Sequence, residues 1–222
     1  YQIGWTVGVP EPVWNYANVS EDEEERLSAS DFGTLMHAVL EGCDFKDPGS
    51  VAFKEFFEKT IKNLNRSEQL YARQLFQRFI RSALFRKLQK ARQIHREIDF
   101  VLNGRHGLIH GKLDLLFEDA KGAWHILDYK TAVGDAASVD QKAYDLQIKI
   151  YALAAYQVLN IPVHSGILYF LKNQKTVILP FHIEKAERAF ADIEKEVFDL
   201  QKKILDYSNE RIMKAHDGFK SE

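Results

Sequence analysis

Asp128 and Lys130 stand two residues apart in WHILDYKT, at the end of a segment that alternates like a buried strand. Alternation puts both side chains on one face, about 7 Å apart along the chain. Trp124 and Ile126 share that face nearer the core. The preceding segment, GKLDLLF, carries Asp114, and a hairpin between the two segments makes Asp114 and Asp128 neighbours on adjacent strands. Two carboxylates a few ångströms apart repel, and one takes up a proton unless a cation lies between them. Mg2+ answers that need, because it takes oxygen ligands, tolerates one or two carboxylates and keeps several waters. A protonated lysine cannot ligate the ion, but it can orient a water or stabilise charge on a reacting group. Metal, water and cation together suit hydrolysis of a phosphodiester. An Asp-x-Lys at a strand end is also a common surface ion pair, so the motif alone leaves both readings open.

Hydrophobic period and cap signals delimit the elements that must position these groups. SASDFGTLMHAVLEG predicts a helix at about 30–42, with Ser28 or Ser30 as cap, Asp31 in the first turn and Gly42 closing it. Phe53, Phe56, Phe57, Ile61 and Leu64 predict a second helix near 50–64. Ser67 and Glu68 open a third, running to about Arg92 with Leu70, Leu75, Phe76, Phe79, Ile80 and Leu84 inside. The period then changes. Three antiparallel strands are expected near 96–103, 107–118 and 123–131, with turns at NGRHG and EDAKG. Strict alternation sets Ile109, Leu113, Leu115 and Phe117 on one face of the middle strand and Lys112 and Asp114 on the other. Ser138 is positioned to cap a helix at about 139–159, with an apolar face of Leu146, Ile150, Leu153, Ala154 and Val158. VHSGILYFL reads as a strand that pairs with TVILPFHI across a turn at Asn173. The expected architecture is α/β around one mixed sheet, with a core at 28–183 and a helical insertion at about 50–92. Residues 1–27, with Pro10, Pro12 and an acidic run from Glu21 to Glu25, read as a linker or N-terminal extension. Residues 184–222 read as an amphipathic helix along Phe190, Ile193, Val197, Leu200, Ile204 and Tyr207, packed on its own domain or offered to a partner.

The chain has 222 residues, 45% of them apolar and 28% charged, enough for one domain with a proper core. No apolar run is long enough to span a membrane. The single cysteine, Cys43, excludes a disulfide framework and a cysteine-ligated zinc or iron–sulfur site, and fits a reducing cytoplasm. A start at Tyr1 without a basic–apolar leader reads as an excised domain or a processed product. The net charge of −2 hides a polarised chain. Residues 69–96 contain no acid and eight bases, among them Arg73, Arg78 and Arg81. Such a stretch is either a solvated helix face or a surface that follows a DNA backbone, and the latter binds in a strongly salt-dependent way.

Five segments carry a resemblance: Gly33-Thr-Leu-Met-His37, Glu97 in REIDF, Gly111-Lys-Leu-Asp114, Asp128-Tyr-Lys130 and Gln147-Ile-Lys-Ile-Tyr151. In this order and spacing, over roughly residues 30–171, the sequence resembles the RecB/AddA-type nuclease domain of the PD-(D/E)XK superfamily. Without that likeness, His37 beside Met36 and Leu40 reads as a core or surface histidine, and Tyr151 as a core aromatic. The resemblance implies a restriction-endonuclease-like core of helix, three strands, helix and strand. It implies metal ligands at His37, Asp114, Asp128 and the backbone carbonyl of Tyr129, a catalytic Lys130, and Gln147 and Tyr151 beside the site in contact with DNA. For Glu97 it implies a place in the motif without fixing a role. It further implies Mg2+, with Mn2+ substituting, and cleavage of single-stranded or unwound DNA ends to 5′-phosphate and 3′-hydroxyl products. The setting it implies is the bacterial cytoplasm, in recombination and double-strand break repair. With no G-x-x-x-x-G-K-[ST], the chain has no motor of its own, so the implied partner is an ATP-dependent helicase of the UvrD/Rep-like kind. Relatives that carry a four-cysteine iron–sulfur cluster are excluded by the cysteine count. The competing readings are a non-catalytic DNA-binding or docking module of the same fold and a different metalloenzyme. A decayed site would have lost some of His37, Asp114, Asp128, Lys130, Gln147 and Tyr151, and all six are present. One histidine with two acids is not the two-histidine, one-carboxylate set of iron oxygenases.

Overall fold

The computed structural model describes residues 4–6, 27–104, 108–131, 134, 141–185, 187–192 and 194–195. Gly4–Thr6 forms the short strand β1, inside the stretch expected as linker or extension. Four helices follow: α1 (Ala29–Glu41), α2 (Val51–Ile61), α3 (Arg66–Ile80) and α4 (Ala83–Gln89). Next come β2 (Gln93–Asn103), β3 (Leu108–Glu118) and β4 (Trp124–Lys130), then α5 (Gln141–Leu159), β5 (Val163–Phe170) and β6 (Lys175–Pro180). The mixed α/β order of helix, three strands, helix and strand is the expected one. Residues 183–185, 187–192 and 194–195 are helical, and Phe190 packs on the core beneath α5. Ser138, the 105–107 turn, most of 1–27 and the stripe from Ile193 onward, Val197 to Tyr207 included, lie outside the described residues or side chains.

Local chemistry sets the helix ends. Ser28 accepts from the Asp31 N–H and caps α1. Asn65, not Ser67, caps α3, in a capping box with Glu68 that also receives the Leu27 N–H. The helix expected to run unbroken to Arg92 is two helices. Arg81 ends α3, and Ser82 turns its hydroxyl to the Phe85 N–H and starts α4. Leu70 and Val158, expected inside, are 53% and 51% exposed, because neither position meets the sheet.

The six-stranded sheet runs β1-β3-β4-β5-β6, with β2 also paired to β3. Helices α1–α4 cover one face through Met36, Leu40, Phe79 and Phe85, joined by Phe45 of the α1–α2 connection, while α5 covers the other through Ile148, Tyr151 and Leu153. Strand β2 takes one edge of β3 over almost its whole length. On the other edge β1 pairs at Leu108–His110 and β4 at Leu115–Glu118, leaving 111–114 without a ladder partner there. The sheet forks at this gap.

Strict alternation fails at the same point. Ile109 and Leu113 join the core under α5, but Leu115 and Phe117 join the core under α1–α4. On β2, Ile94 lies against one core and Ile98, Phe100 and Leu102 against the other. Between them Glu97 has φ +47, a left-handed conformation rare for a residue with a Cβ. Glu97 and Asp114 are opposite in register, yet the ladder skips both, since Arg96 pairs Leu115 and Ile98 pairs Leu113. Both strands change faces at one pair of residues, and both residues are acids.

Candidate active site

Asp114 lies where β3 and β4 part. The ladder ends at Leu115–Leu127, so the Tyr129 N–H has no backbone partner on β3. Asp114 Oδ2 accepts it at 2.8 Å. The Tyr129 carbonyl accepts from His37 Nε2 of α1 at 3.0 Å, and His37 Nδ1 lies 3.3 Å from Asp114 Oδ1. The backbone of one residue thus fixes two side chains, and the Tyr129 carbonyl stands beside both. Its ring faces the helical core and stacks edge-on with Phe79.

Glu97 completes this group. One ligand atom each from His37, Glu97 and Asp114 lies within 4.8 Å of the others. Lys112 Nζ contacts Glu97 Oε2 at 2.9 Å from the rim. Burial raises the Glu97 carboxyl, and the charge of Asp114 adds to this against the pull of Lys112 and His37. Burial also works to lower His37, but its hydrogen bond to Asp114 and the charges of Asp114, Asp128 and Glu97 outweigh it and raise the imidazole to about 9.

Asp128 and Lys130 come from β4 on the α5 side. They are 2% and 5% exposed, so they are not the surface pair that the bland reading of the motif describes. Asp128 Oδ2 lies 2.9 Å from Lys130 Nζ, but this is a contact of charges without hydrogen-bond angles, and the oxygen receives no directed hydrogen bond. Burial pushes the Asp128 carboxyl up and Asp114 adds to this, against the pull of Lys130. Burial works against the Lys130 ammonium, yet Asp128 holds it above its ordinary value.

Gln147 and Tyr151 face inward from α5 and are each 4% exposed. Gln147 Nε2 donates to Tyr151 Oη at 2.8 Å, and Gln147 Oε1 accepts from Lys130 Nζ at 3.4 Å. Tyr144 lies under the same ammonium, its ring centroid 4.9 Å from Nζ. Sequence reasoning missed Tyr144, although 144, 147 and 151 share a helix face. Lys149 lies off that face and pairs with Asp145.

The basic side chains sit elsewhere. Arg73 forms a two-pronged pair with Glu58, Arg78 donates to the Lys172 carbonyl, and Arg81 is exposed just past the end of α3. All three belong to the helical face of the sheet.

A histidine nitrogen and two carboxylates, His37, Glu97 and Asp114, form a donor set that a divalent ion fits, and Asp128 of β4 carries a buried oxygen without a hydrogen bond. His37, Glu97 and Asp114 could hold the ion directly, with Asp128 and the Tyr129 carbonyl next to them.

Curated relatives include an ATP-dependent helicase/nuclease polypeptide of Lysinibacillus sphaericus, 27% identical over 173 residues, covering 70% of this chain and 14% of the relative. Its counterparts of the same name in Heliobacterium modesticaldum and Geobacillus kaustophilus are 29% and 28% identical, covering 67% and 66% of this chain and 12% and 14% of theirs. The chain thus spans about one seventh of the length of these relatives. Residues 13–219 match the PD-(D/E)XK nuclease superfamily, and this match over most of the chain, on a fold whose forked sheet gathers Asp114, Asp128 and Lys130, makes the chain a member of that superfamily.

Proposed function

We propose that the chain is a Mg2+- or Mn2+-dependent deoxyribonuclease that hydrolyses phosphodiesters at single-stranded or unwound DNA ends. It would act as an exonuclease within a bacterial, cytoplasmic helicase–nuclease that serves double-strand break repair and recombination. The observation that carries this reading is the meeting of His37, Glu97 and Asp114 beside the buried Asp128–Lys130 pair. The helicase/nuclease names of the relatives support the setting. Among the described residues no helix is long and apolar enough to cross a membrane.

His37, Glu97 and Asp114 would hold the ion, with Asp128 and the Tyr129 carbonyl in reach to complete its shell. When bound, the ion supplies a water of lowered pKa and neutralises charge on the phosphate and the leaving 3′-oxygen. The protein's own groups do the rest. Asp114 is oriented by the Tyr129 N–H before substrate arrives. Lys130 brings a fixed positive charge, able to hold a water or a phosphate oxygen and to stabilise charge as the P–O bond breaks.

Labelled single-stranded DNA should be cut by the wild type with Mg2+ or Mn2+ and left intact with a chelator. Asp128→Ala and Lys130→Ala should each lose about a hundredfold or more in kcat. Equal cleavage by all three proteins would remove the proposal.

A further inference from the structure

A buried ammonium persists only where its charge and its donors are met. Lys130 meets three groups: Asp128 Oδ2 at 2.9 Å, Gln147 Oε1 at 3.4 Å and the Tyr144 ring at 4.9 Å. A cation at that distance from a ring centroid is drawn by the negative face of the π-system, most strongly where water is excluded. Tyr144 is itself only 6% exposed. Gln147 is not free to turn, since its Nε2 donates to Tyr151 Oη at 2.8 Å and so leaves Oε1 facing the lysine. Gln147 and Tyr151 thus direct polar atoms onto each other and onto Lys130.

Of the three partners, only Asp128 carries a full charge, and Asp128 is also a candidate metal ligand. A dication that draws on its carboxylate weakens the hold on the ammonium. The ring of Tyr144 and the amide of Gln147 are neutral and keep theirs. We propose that Tyr144, together with Gln147 locked by Tyr151, is a positioning residue that keeps the Lys130 ammonium over the site once Asp128 is engaged by a divalent cation. This rests on the nuclease reading. Without the ring, the four-carbon stem is free to swing toward water, because a lysine has no planar fork to fix it.

Three replacements at 144 test the proposal in the whole chain. Tyr144→Phe keeps the ring, Tyr144→Leu removes it, and pentafluorophenylalanine keeps the shape but reverses the quadrupole. In the metal-free protein, the Lys130 ε-methylene signal, assigned by its loss in Lys130→Met, should be shifted upfield by the ring. That shift should survive in Tyr144→Phe and vanish in Tyr144→Leu. With Mn2+ and single-stranded DNA, kcat should fall roughly tenfold in the Leu and fluorinated proteins with KM within about twofold, and Tyr144→Phe should match wild type. Unchanged kcat in the fluorinated protein overturns the proposal, and so does a loss in Tyr144→Phe as large as in the other two. If Tyr144→Leu melts early, the fluorinated protein decides. If the wild type itself does not cleave, the nuclease reading fails and the proposal falls with it. The ring-current shift then still reports whether the contact exists.

Discussion

At His37, proton and metal compete for one ring. Both nitrogens are in use in the metal-free chain, Nε2 toward the Tyr129 carbonyl and Nδ1 toward Asp114. That is the arrangement of an imidazolium, and it agrees with a value raised to about 9. The raised value stabilises the metal-free fold fully below about pH 6.5, and this contribution is lost as pH rises through about 9. Metal binding must expel the same proton. Mn2+ affinity should therefore climb with pH, by up to about tenfold per unit between about 6 and about 9, with about one proton released per ion near neutrality. Calorimetry in buffers of different ionisation enthalpy measures that proton, and its absence would remove His37 from the ligand set. In the same titration Glu97→Gln should weaken binding by about tenfold or more. Asp114, Asp128 and Lys130 were legible in the sequence because period two and a hairpin are enough to bring them near one another. The position of Glu97 was not, because a left-handed residue inside a strand leaves no trace in hydrophobic period. Tyr144 was hidden by its type, since an aromatic on a helix reads as core.

At the scale of elements, reach depends on how closely α5 lies on the sheet. Gly166 of β5 makes this possible, for a Cβ there would stand 2.2 Å from Ile148 Cγ2 of α5. Gly166→Ala must lift the helix or distort the strand, at a cost of about 1–3 kcal/mol. Tyr144 and Gln147 ride on the same helix, so kcat should fall together with stability. Ile148→Ala removes the three atoms nearest to the new methyl, although alone it costs about 2–5 kcal/mol. The double variant should then be more stable than the two single losses sum to, and should regain activity relative to Gly166→Ala. Strict additivity in a thermal-melt cycle would mean that this contact does not set the helix height. Element order and most boundaries were readable from caps and period. The switch of faces at Glu97 and Asp114 was not, because alternation counts residues and cannot see where a ladder skips a pair.

At the scale of the whole molecule, the basic run and the buried Lys130 lie on different sides of the sheet. The basic run of 69–96 lies on α3, α4 and the start of β2, on the side covered by α1–α4, whereas Lys130, Gln147 and Tyr144 lie on the α5 side. The site occupies the fork where the two faces meet, so a strand that tracks the helical face can run into it. Not every base in the run is available. Arg73 is occupied by Glu58, whereas Arg78, Arg81, Arg86, Lys87 and Lys90 are exposed, Arg78 and Arg86 each donating one N–H to a neutral backbone carbonyl. Sequence composition located the basic stretch but could not tell paired from unpaired guanidiniums, since Glu58 belongs to a different helix. If the exposed set follows the backbone, Arg81→Ala and Lys87→Ala should each weaken single-stranded DNA uniformly across sequences. Each should also lower the slope of log affinity against log salt by about 0.7, one phosphate contact on a single strand. Arg73→Ala should leave that slope unchanged, because its charge is already met by Glu58. Binding isotherms at several salt concentrations, with chelator present to prevent cleavage, separate the two classes. Equal slopes for all variants would assign the basic helices to solvent and leave substrate binding to the fork alone.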